Sequence, residues 1–265
     1  MRILFFGDIV GREGRRVVVE RSRELRELYR ADLVIANGEN SAGGAGITPK
    51  CAEALYEGGV DLITTGNHIW QRKEIYPYLN SNRMRILRPL NYPTESPGAG
   101  VLTYLTLAGK KLTVVNLAAR VFMTDLASCP FEAMDNLLGR SSSDELGTIL
   151  VDFHGEATSE KGALGRFLDG RVGAVVGTHT HVQTADARVL PKGTAFITDV
   201  GMCGAIESII GVEIEPVVER FRTGLNIKFS SASGRSMING VLVELEDNRA
   251  TSIERIWFEE PKTSN

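Results

Sequence analysis

Ile3-Leu4-Phe5-Phe6-Gly7-Asp8 is an apolar run of strand length that halts on a glycine and an acid. A buried strand that delivers a carboxylate to a loop reads this way. The pattern returns at 33–36, followed by Asn37-Gly38-Glu39-Asn40, and at 62–65, followed by Gly66-Asn67-His68. Helical patterns separate the runs. Residues 15–30 carry Val18, Val19, Leu25 and Leu28 on one face, with Arg23 and Glu27 spaced to pair at i,i+4. Thr48-Pro49 reads as N-cap and first helical residue of a helix reaching Gly58. Short strands alternating with helices predict an α/β protein with a parallel or mixed sheet covered by helices.

After residue 98 the pattern changes. Residues 100–107 and 111–117 flank Ala108-Gly109-Lys110 as a hairpin. A short helix is expected at 130–138, a loop at 141–143, strands at 150–153 and 172–176 with a helix at 159–168 between them, and a strand at 195–198. A second hairpin, 239–246 and 250–258 around Asp247-Asn248, is expected to form the edge of a second sheet. No linker, repeat or low-complexity segment interrupts the chain, so residues 1–265 are expected to form one domain.

Composition excludes several classes of function. With 43% hydrophobic and 24% charged residues over 265 positions, the chain is neither disordered nor fibrous. A net charge of -3 gives no general attraction to nucleic acid or to an anionic membrane, so no stable nucleic-acid complex and no membrane partner is expected. The arginines at 15–30 interleave with glutamates, as on a solvated helix face. Cys51, Cys129 and Cys203 are odd in number and lack CxxC spacing, which suits a reducing compartment. Cys203 reads as a packing residue. No apolar run approaches the length of a signal core or a span of about 18 residues, so a cytoplasmic protein is expected.

The chemistry gathers at the strand ends. All four histidines, His68, His154, His179 and His181, follow predicted strands within a few residues, where α/β sheets collect their ligands. Thr178-His179-Thr180-His181 can turn its two imidazoles toward one metal ion or two adjacent ones. In Val151-Asp152-Phe153-His154 the alternation puts Asp152 and His154 on the polar side. Asp8 can reach a metal or cap a helix. Asn37-Gly38-Glu39-Asn40 supplies a carboxylate able to bridge two cations, or an ordinary turn, and Gly43, Gly44 and Gly46 predict a mobile loop behind it. In Gly66-Asn67-His68 the amide oxygen can complete a coordination sphere while the imidazole serves as acid or base. Gly7, Gly11 and Gly14 raise a nucleotide-dependent oxidoreductase as a rival, but their spacing misses the dinucleotide fingerprint and leaves the histidines unexplained.

Together the Gly-Asn-His and His-x-His blocks resemble the calcineurin-like metallophosphoesterase superfamily. Two departures stand out: Asp8-Ile9-Val10 replaces the usual Asp-x-His, and Glu39 replaces the usual Asp. With these, Gly-Asp-Ile-Val-Gly at 7–11, Asn-Gly-Glu-Asn at 37–40, Thr-Gly-Asn-His at 65–68 and Gly-Thr-His-Thr-His at 177–181 look like the YmdB-like bacterial branch, over nearly the whole chain. Thr198-Asp199-Val200-Gly201-Met202 extends the likeness near an expected substrate loop.

The resemblance implies a four-layer α/β/β/α sandwich of two mixed sheets and a phosphodiesterase acting on 2′,3′-cyclic nucleotides. It implies that Asp8, Glu39, Asn40 and His181 hold one metal and Glu39, Asn67, His154 and His179 the other, with Glu39 bridging and His68 as proton donor. Such a pair of ions lowers the pKa of a shared water and neutralises charge in an in-line displacement, so no protein nucleophile is needed. The absence of thiolate and the mixture of imidazole with oxygen donors favour Fe or Mn, with Mg or Zn as alternatives. Exposed hairpin edges lead us to expect a homo-oligomer. A non-catalytic regulator that binds metal and nucleotide on the same fold is the alternative reading.

Overall fold

The computed structural model describes residues 1–81, 85–106 and 109–262. Its strands are β1 (Arg2–Phe6), β2 (Asp8–Ile9), β3 (Leu33–Asn37), β4 (Leu62–Thr64), β5 (Val101–Leu105), β6 (Lys111–Ala118), β7 (Thr148–His154), β8 (Ala174–Thr178), β9 (Arg188–Val189), β10 (Ala195–Ile197), β11 (Met202–Ala205), β12 (Ser236–Glu246) and β13 (Arg249–Glu259). The helices are α1 (Gly11–Leu28), α2 (Pro49–Gly58), α3 (Ile75–Leu79), α4 (Pro130–Arg140), α5 (Ser143–Leu146), α6 (Thr158–Phe167) and α7 (Ile214–Thr223).

β1 shows why its sequence is continuously apolar. Leu4 and Phe6 face the core under α1 and α2, while Ile3 and Phe5 face the core shared with the other sheet. With both faces buried, no position is left for a polar residue. β6 and β7 behave alike: Val115, Leu117, Val151 and Phe153 pack under α4 and α6, and Leu112, Val114 and Leu150 fill the space between the sheets. Three apolar layers thus hold four structural layers together, the expected α/β/β/α sandwich. One sheet runs β2-β11-β12-β1-β3-β4 with β13 also on β12; the other runs β5-β6-β7-β8-β10-β9. Parallel pairing of β1 with β3, β3 with β4, β6 with β7 and β7 with β8 sends the C-terminal ends of these strands to common edges.

Several expectations change. The C-terminal hairpin does not edge a second sheet, because β12 pairs antiparallel with β1 from Arg2↔Glu244 to Phe6↔Gly240 and stands inside the first sheet. β13 occupies one edge of β12, so β1 and β11 share the other, and the chain crosses that junction at Gly7. A Cβ on Gly7 would lie 2.0 Å from the Gly201 carbonyl oxygen, so this glycine serves close backbone packing rather than a dinucleotide. α1 begins four residues earlier than periodicity placed it, directly behind β2, with Val10 as an uncapped N-cap. Arg23 bonds the Glu57 carbonyl rather than pairing with Glu27, while Arg16 pairs with Glu13, Glu20 and Glu260. Ser143, expected in a loop, opens α5 behind the capping box of Ser142 and Glu145. The loop expected to be mobile is a turn tied down by Arg72, which donates to the carbonyls of Ala42 and Ala45.

The first hairpin forms as β5 and β6, although Leu107 and Ala108 of its expected strand end and turn lie outside the described residues. Thr48 caps α2, accepting from Cys51 N at 3.3 Å. Among the described residues no helix is long and apolar enough to cross a membrane.

Candidate metal centre

Five strand ends converge where the two sheets meet. Asp8 leaves β1 through β2, Glu39 and Asn40 follow β3, Asn67 and His68 follow β4, His154 ends β7, and His179 and His181 follow β8. His154 is the focus: its Nε2 lies 2.9 Å from Asn67 Oδ1, 3.1 Å from His179 Nδ1 and 3.3 Å from Glu39 Oε1. One ring proton there faces two oxygens and a nitrogen, a donor set that a cation satisfies better than a proton does. The ligand atoms of Glu39, His154 and His179 all lie within 4.8 Å of one another.

The other expected ligands adjoin this group. Asn40 Nδ2 donates to Glu39 Oε1 at 3.1 Å and lies 3.1 Å from His181 Nε2. His181 Nδ1 donates to the Ile210 carbonyl at 2.8 Å, which leaves a lone pair on Nε2 facing the site. Asp8 Oδ2 accepts from His179 N at 3.0 Å, whereas its Oδ1 is buried without a hydrogen bond, 3.9 Å from His181 Nε2 and 4.0 Å from His154 Nδ1. An orphaned buried carboxylate oxygen among imidazoles fits a cation. His68 borders the cluster: its Nδ1 lies 2.6 Å from Asn40 Oδ1 and 3.3 Å from Glu39 Oε1, and its backbone N–H donates to Glu39 Oε2 at 3.0 Å.

A family model of YmdB-like proteins matches residues 4–256. The chain belongs to the YmdB-like family. A relative from Bacillus subtilis (strain 168), a 2′,3′-cyclic-nucleotide 2′-phosphodiesterase, is 46% identical over 258 residues, 97% of this chain and 96% of that one. The crystal structure of a hypothetical protein from Thermus thermophilus matches with a TM-score of 0.92 and 45% identity, covering 98% of this chain and 100% of the other. The calcineurin-like phosphoesterase YfkN from Bacillus subtilis shares the fold, with a TM-score of 0.57 and 12% identity over 98% of this chain and 90% of its own.

In this YmdB-like chain the two departures noted in the motifs have structural counterparts. Val10 is buried, with its side chain against Gly211, and Asn40 stands beside His181 instead. The longer side chain of Glu39 reaches both His154 and the backbone of His68. A Cβ on Gly66 would fall 2.2 Å from the His154 ring, so the Gly-Asn-His turn needs its glycine to pass beneath that imidazole.

Sequence reasoning missed the groups that aim these ligands. Thr178 Oγ1 donates to Asp152 Oδ1 at 2.7 Å, so it must accept from His154 Nδ1 at 2.9 Å. This relay fixes the His154 tautomer and turns Nε2 inward. Asn37 backs the relay, donating to Asp152 Oδ2 at 3.2 Å. Behind the His-x-His segment, fully buried Lys161 donates to the Thr178 carbonyl and to Asp199 Oδ2, each at 2.8 Å. Asp152 and Thr178 stood within recognised motifs; Lys161, inside a helical pattern, gave no signal.

The electrostatics follow from burial and proximity. Burial opposes the charge on Glu39, but the His154 cation and hydrogen bonds from His154 and His68 hold its carboxyl well below the usual range. For Asp8 burial wins over the nearby histidines, and its pKa is raised. Burial also works against a His154 cation, yet Glu39, Asp8 and Asp152 together raise its pKa to about 9. His179 is lowered to about 3 by burial and by repulsion from His154. Buried Asp152 rises to about 7. Cys203 is buried beside the Gly7 and Asn239 carbonyls and its thiol is pushed up, in keeping with a packing role.

Proposed function

We propose that this chain is a phosphodiesterase that hydrolyses 2′,3′-cyclic nucleotides at a dinuclear metal centre. Asp8, Glu39, Asn40 and His181 hold one ion in this reading, and Glu39, Asn67, His154 and His179 hold the other. The observation that carries the proposal is the convergence of Glu39, Asn67 and His179 on His154 Nε2 beside the orphaned Asp8 Oδ1. Kinship with the Bacillus subtilis phosphodiesterase supports the substrate class. When bound, the two ions lower the pKa of water and neutralise phosphate charge. The donor set, oxygens and imidazoles without thiolate, favours Fe or Mn over Mg or Zn.

The protein's own part in the chemistry falls to His68. Its hydrogen bond with Glu39 raises its pKa from the ordinary histidine value, outweighing burial, which favours the protonated ring. Asn40 holds Nδ1, while Nε2 has no protein partner among the described residues and the side chain is 34% exposed. A ribose alkoxide leaves poorly without a proton, and in this reading Nε2 gives one. Elemental analysis of purified protein together with a panel of phosphodiesters and monoesters tests the proposal. We expect about two ions per chain and turnover of cyclic diesters. Fully metal-loaded protein that hydrolysed monoesters and no cyclic diester would overturn the substrate class. Nucleotide binding without hydrolysis of any ester would favour the regulator instead.

A further inference from the structure

An open cavity of about 350 Å³ has walls that include Trp70, Tyr92, Ser96, Thr124, Asp125 and Leu126. Both walls are chained to the metal site. Trp70 sits in the single 3-10 turn Ile69–Gln71 that starts from His68, and two residues reach at most about 7 Å. On the other side Asn91, the neighbour of Tyr92, exchanges hydrogen bonds with Ala118 at 2.8 and 2.9 Å, and Ala118 is the register partner of His154. Asn91 Nδ2 also donates to the Ser128 carbonyl, which brings the 124–128 segment over the cavity.

The cavity combines an aromatic platform with an aimed carboxylate. Trp70 is half-buried, pinned edge-on by Tyr76 at 5.5 Å and 81°, and Tyr76 Oη donates to the Trp70 carbonyl at 2.8 Å. The Tyr92 ring stands 6.2 Å from Trp70, inclined by 33°. Buried Tyr92 donates its hydroxyl to Asp125 Oδ2 at 2.9 Å, so the carboxylate is held while Oδ1 has no protein partner among the described residues. A ring stacked on an indole with a fixed acceptor at its edge is how proteins hold nucleobases in single strands and free nucleotides. The volume lies in the range of small-molecule sites.

We propose that this cavity is the nucleobase subsite of the same active site, with Trp70 stacking the base and Asp125 accepting from its amino edge. The proposal rests on the phosphodiesterase reading for its substrate, and it adds a specificity. A carboxylate acceptor suits the exocyclic amino groups of adenine, cytosine and guanine, whereas uracil offers it only the ring N3–H between two carbonyl oxygens.

Two measurements test it. The first uses the Trp257→Phe variant of the full chain, which leaves Trp70 as the sole tryptophan. Adenosine 3′-monophosphate should quench its fluorescence saturably, and Asp125→Ala in that background should weaken binding at least fivefold. The second compares a 2′,3′-cyclic nucleotide with a base-free ribose 2,3-cyclic phosphate. The ratio of their kcat/KM values should fall by about 5- to 150-fold in Trp70→Leu, the equivalent of one lost base stack, and recover in Trp70→Phe. Absence of quenching in protein that hydrolyses cyclic nucleotides, or a ratio unmoved in Trp70→Leu, overturns the subsite and leaves the phosphodiesterase standing. Saturable quenching in metal-loaded protein that hydrolyses no diester supports the subsite and removes the phosphodiesterase.

Discussion

Thr178→Val removes one hydroxyl from the centre at nearly constant volume. That hydroxyl gives its proton to Asp152 Oδ1 at 2.7 Å and accepts from His154 Nδ1 at 2.9 Å, and all three residues are fully buried. The valine therefore strands an acceptor and a donor at once. An unsatisfied buried group costs about 1–3 kcal/mol, so the pair amounts to about 2–6 kcal/mol. Asp152, with a pKa raised to about 7 by burial, can shed part of its share by taking up a proton, which favours the lower half of that range. The imidazole also loses the contact that selects its tautomer, and such outer partners are typically worth about 10- to 100-fold in metal affinity. Two assays separate these effects: thermal melting of the metal-free protein, and metal dissociation constants from chelator competition. Thr178→Ser, which keeps the hydroxyl, should restore most of both. A valine variant that melted early but bound metal within twofold of wild type would refute the tautomer argument and leave Thr178 a purely structural residue.

His68→Ala should retain its metal by elemental analysis and lose about 100- to 10,000-fold in kcat on alkyl diesters. The loss should shrink on an aryl diester, whose leaving group needs no proton; an equal loss on both, or a lost ion, would withdraw the proton-donor role. Glu39→Gln should lower occupancy of both ions because its carboxylate stands between them in the proposed centre, whereas His181→Ala should lower mainly one, and metal counts on the two variants decide this. The metal-free protein should lose stability as pH rises from 6.5 to 9. His154, raised from 6.5 to about 9, contributes about 3 kcal/mol that is fully present below pH 6.5 and lost as pH rises to about 9. Below pH 6.5 two groups oppose each other: His179, lowered to about 3, stays neutral in the fold while the unfolded chain takes up its proton, and Asp152, raised to about 7, keeps a proton that the unfolded carboxylate has lost, so stability should change little between pH 4 and 6.5. Urea midpoints that rose between pH 6.5 and 9 would contradict the His154 assignment.

Strands buried on both faces announce themselves as apolar runs, which is why β1, β3, β4, β7 and β10 were legible with small shifts at their ends. The strand ends carried the seven expected ligands because a sheet of this class presents its C-terminal edges to solvent, and the structure brings all seven together. Elements that owe their form to distant partners were not legible. β2 is two residues long and exists because β11 pairs with it at Met202↔Asp8 and Cys203↔Ile9. β12 has the alternation of an edge hairpin, yet the small Gly240 opposite Phe6 and the run from Val241 to Val243 carry it into the middle of the first sheet. α7 was overlooked although Ile214, Val217, Val218 and Phe221 stand at helical spacing, and of these the fold buries only Val217. The outer partners of the ligands were invisible for a related reason: a threonine or a lysine acquires its role only from what the fold sets beside it.

The His-x-His segment shows how much of the centre depends on such partners. His179 and His181 both adopt positive φ, 106° and 65°, a backbone state that costs about 1–3 kcal/mol at each non-glycine residue. A peptide free to relax would not keep it. Three buried groups hold the backbone here: Asp8 Oδ2 accepts from His179 N, Asp199 Oδ2 accepts from Thr180 N at 3.0 Å, and Lys161 donates to the Thr178 carbonyl. Asp199 is itself fixed by the N–H of Gly201, the residue whose carbonyl packs against Gly7 at the junction that delivers Asp8. The strain in the histidine turn and the course of the first strand are thereby joined through one chain of contacts. Asp8 closes that chain from both sides, since one of its oxygens anchors the backbone of His179 and the other is buried without a hydrogen bond, free for the proposed cation. The acid that ends the first apolar run of the sequence therefore both shapes the centre and charges it.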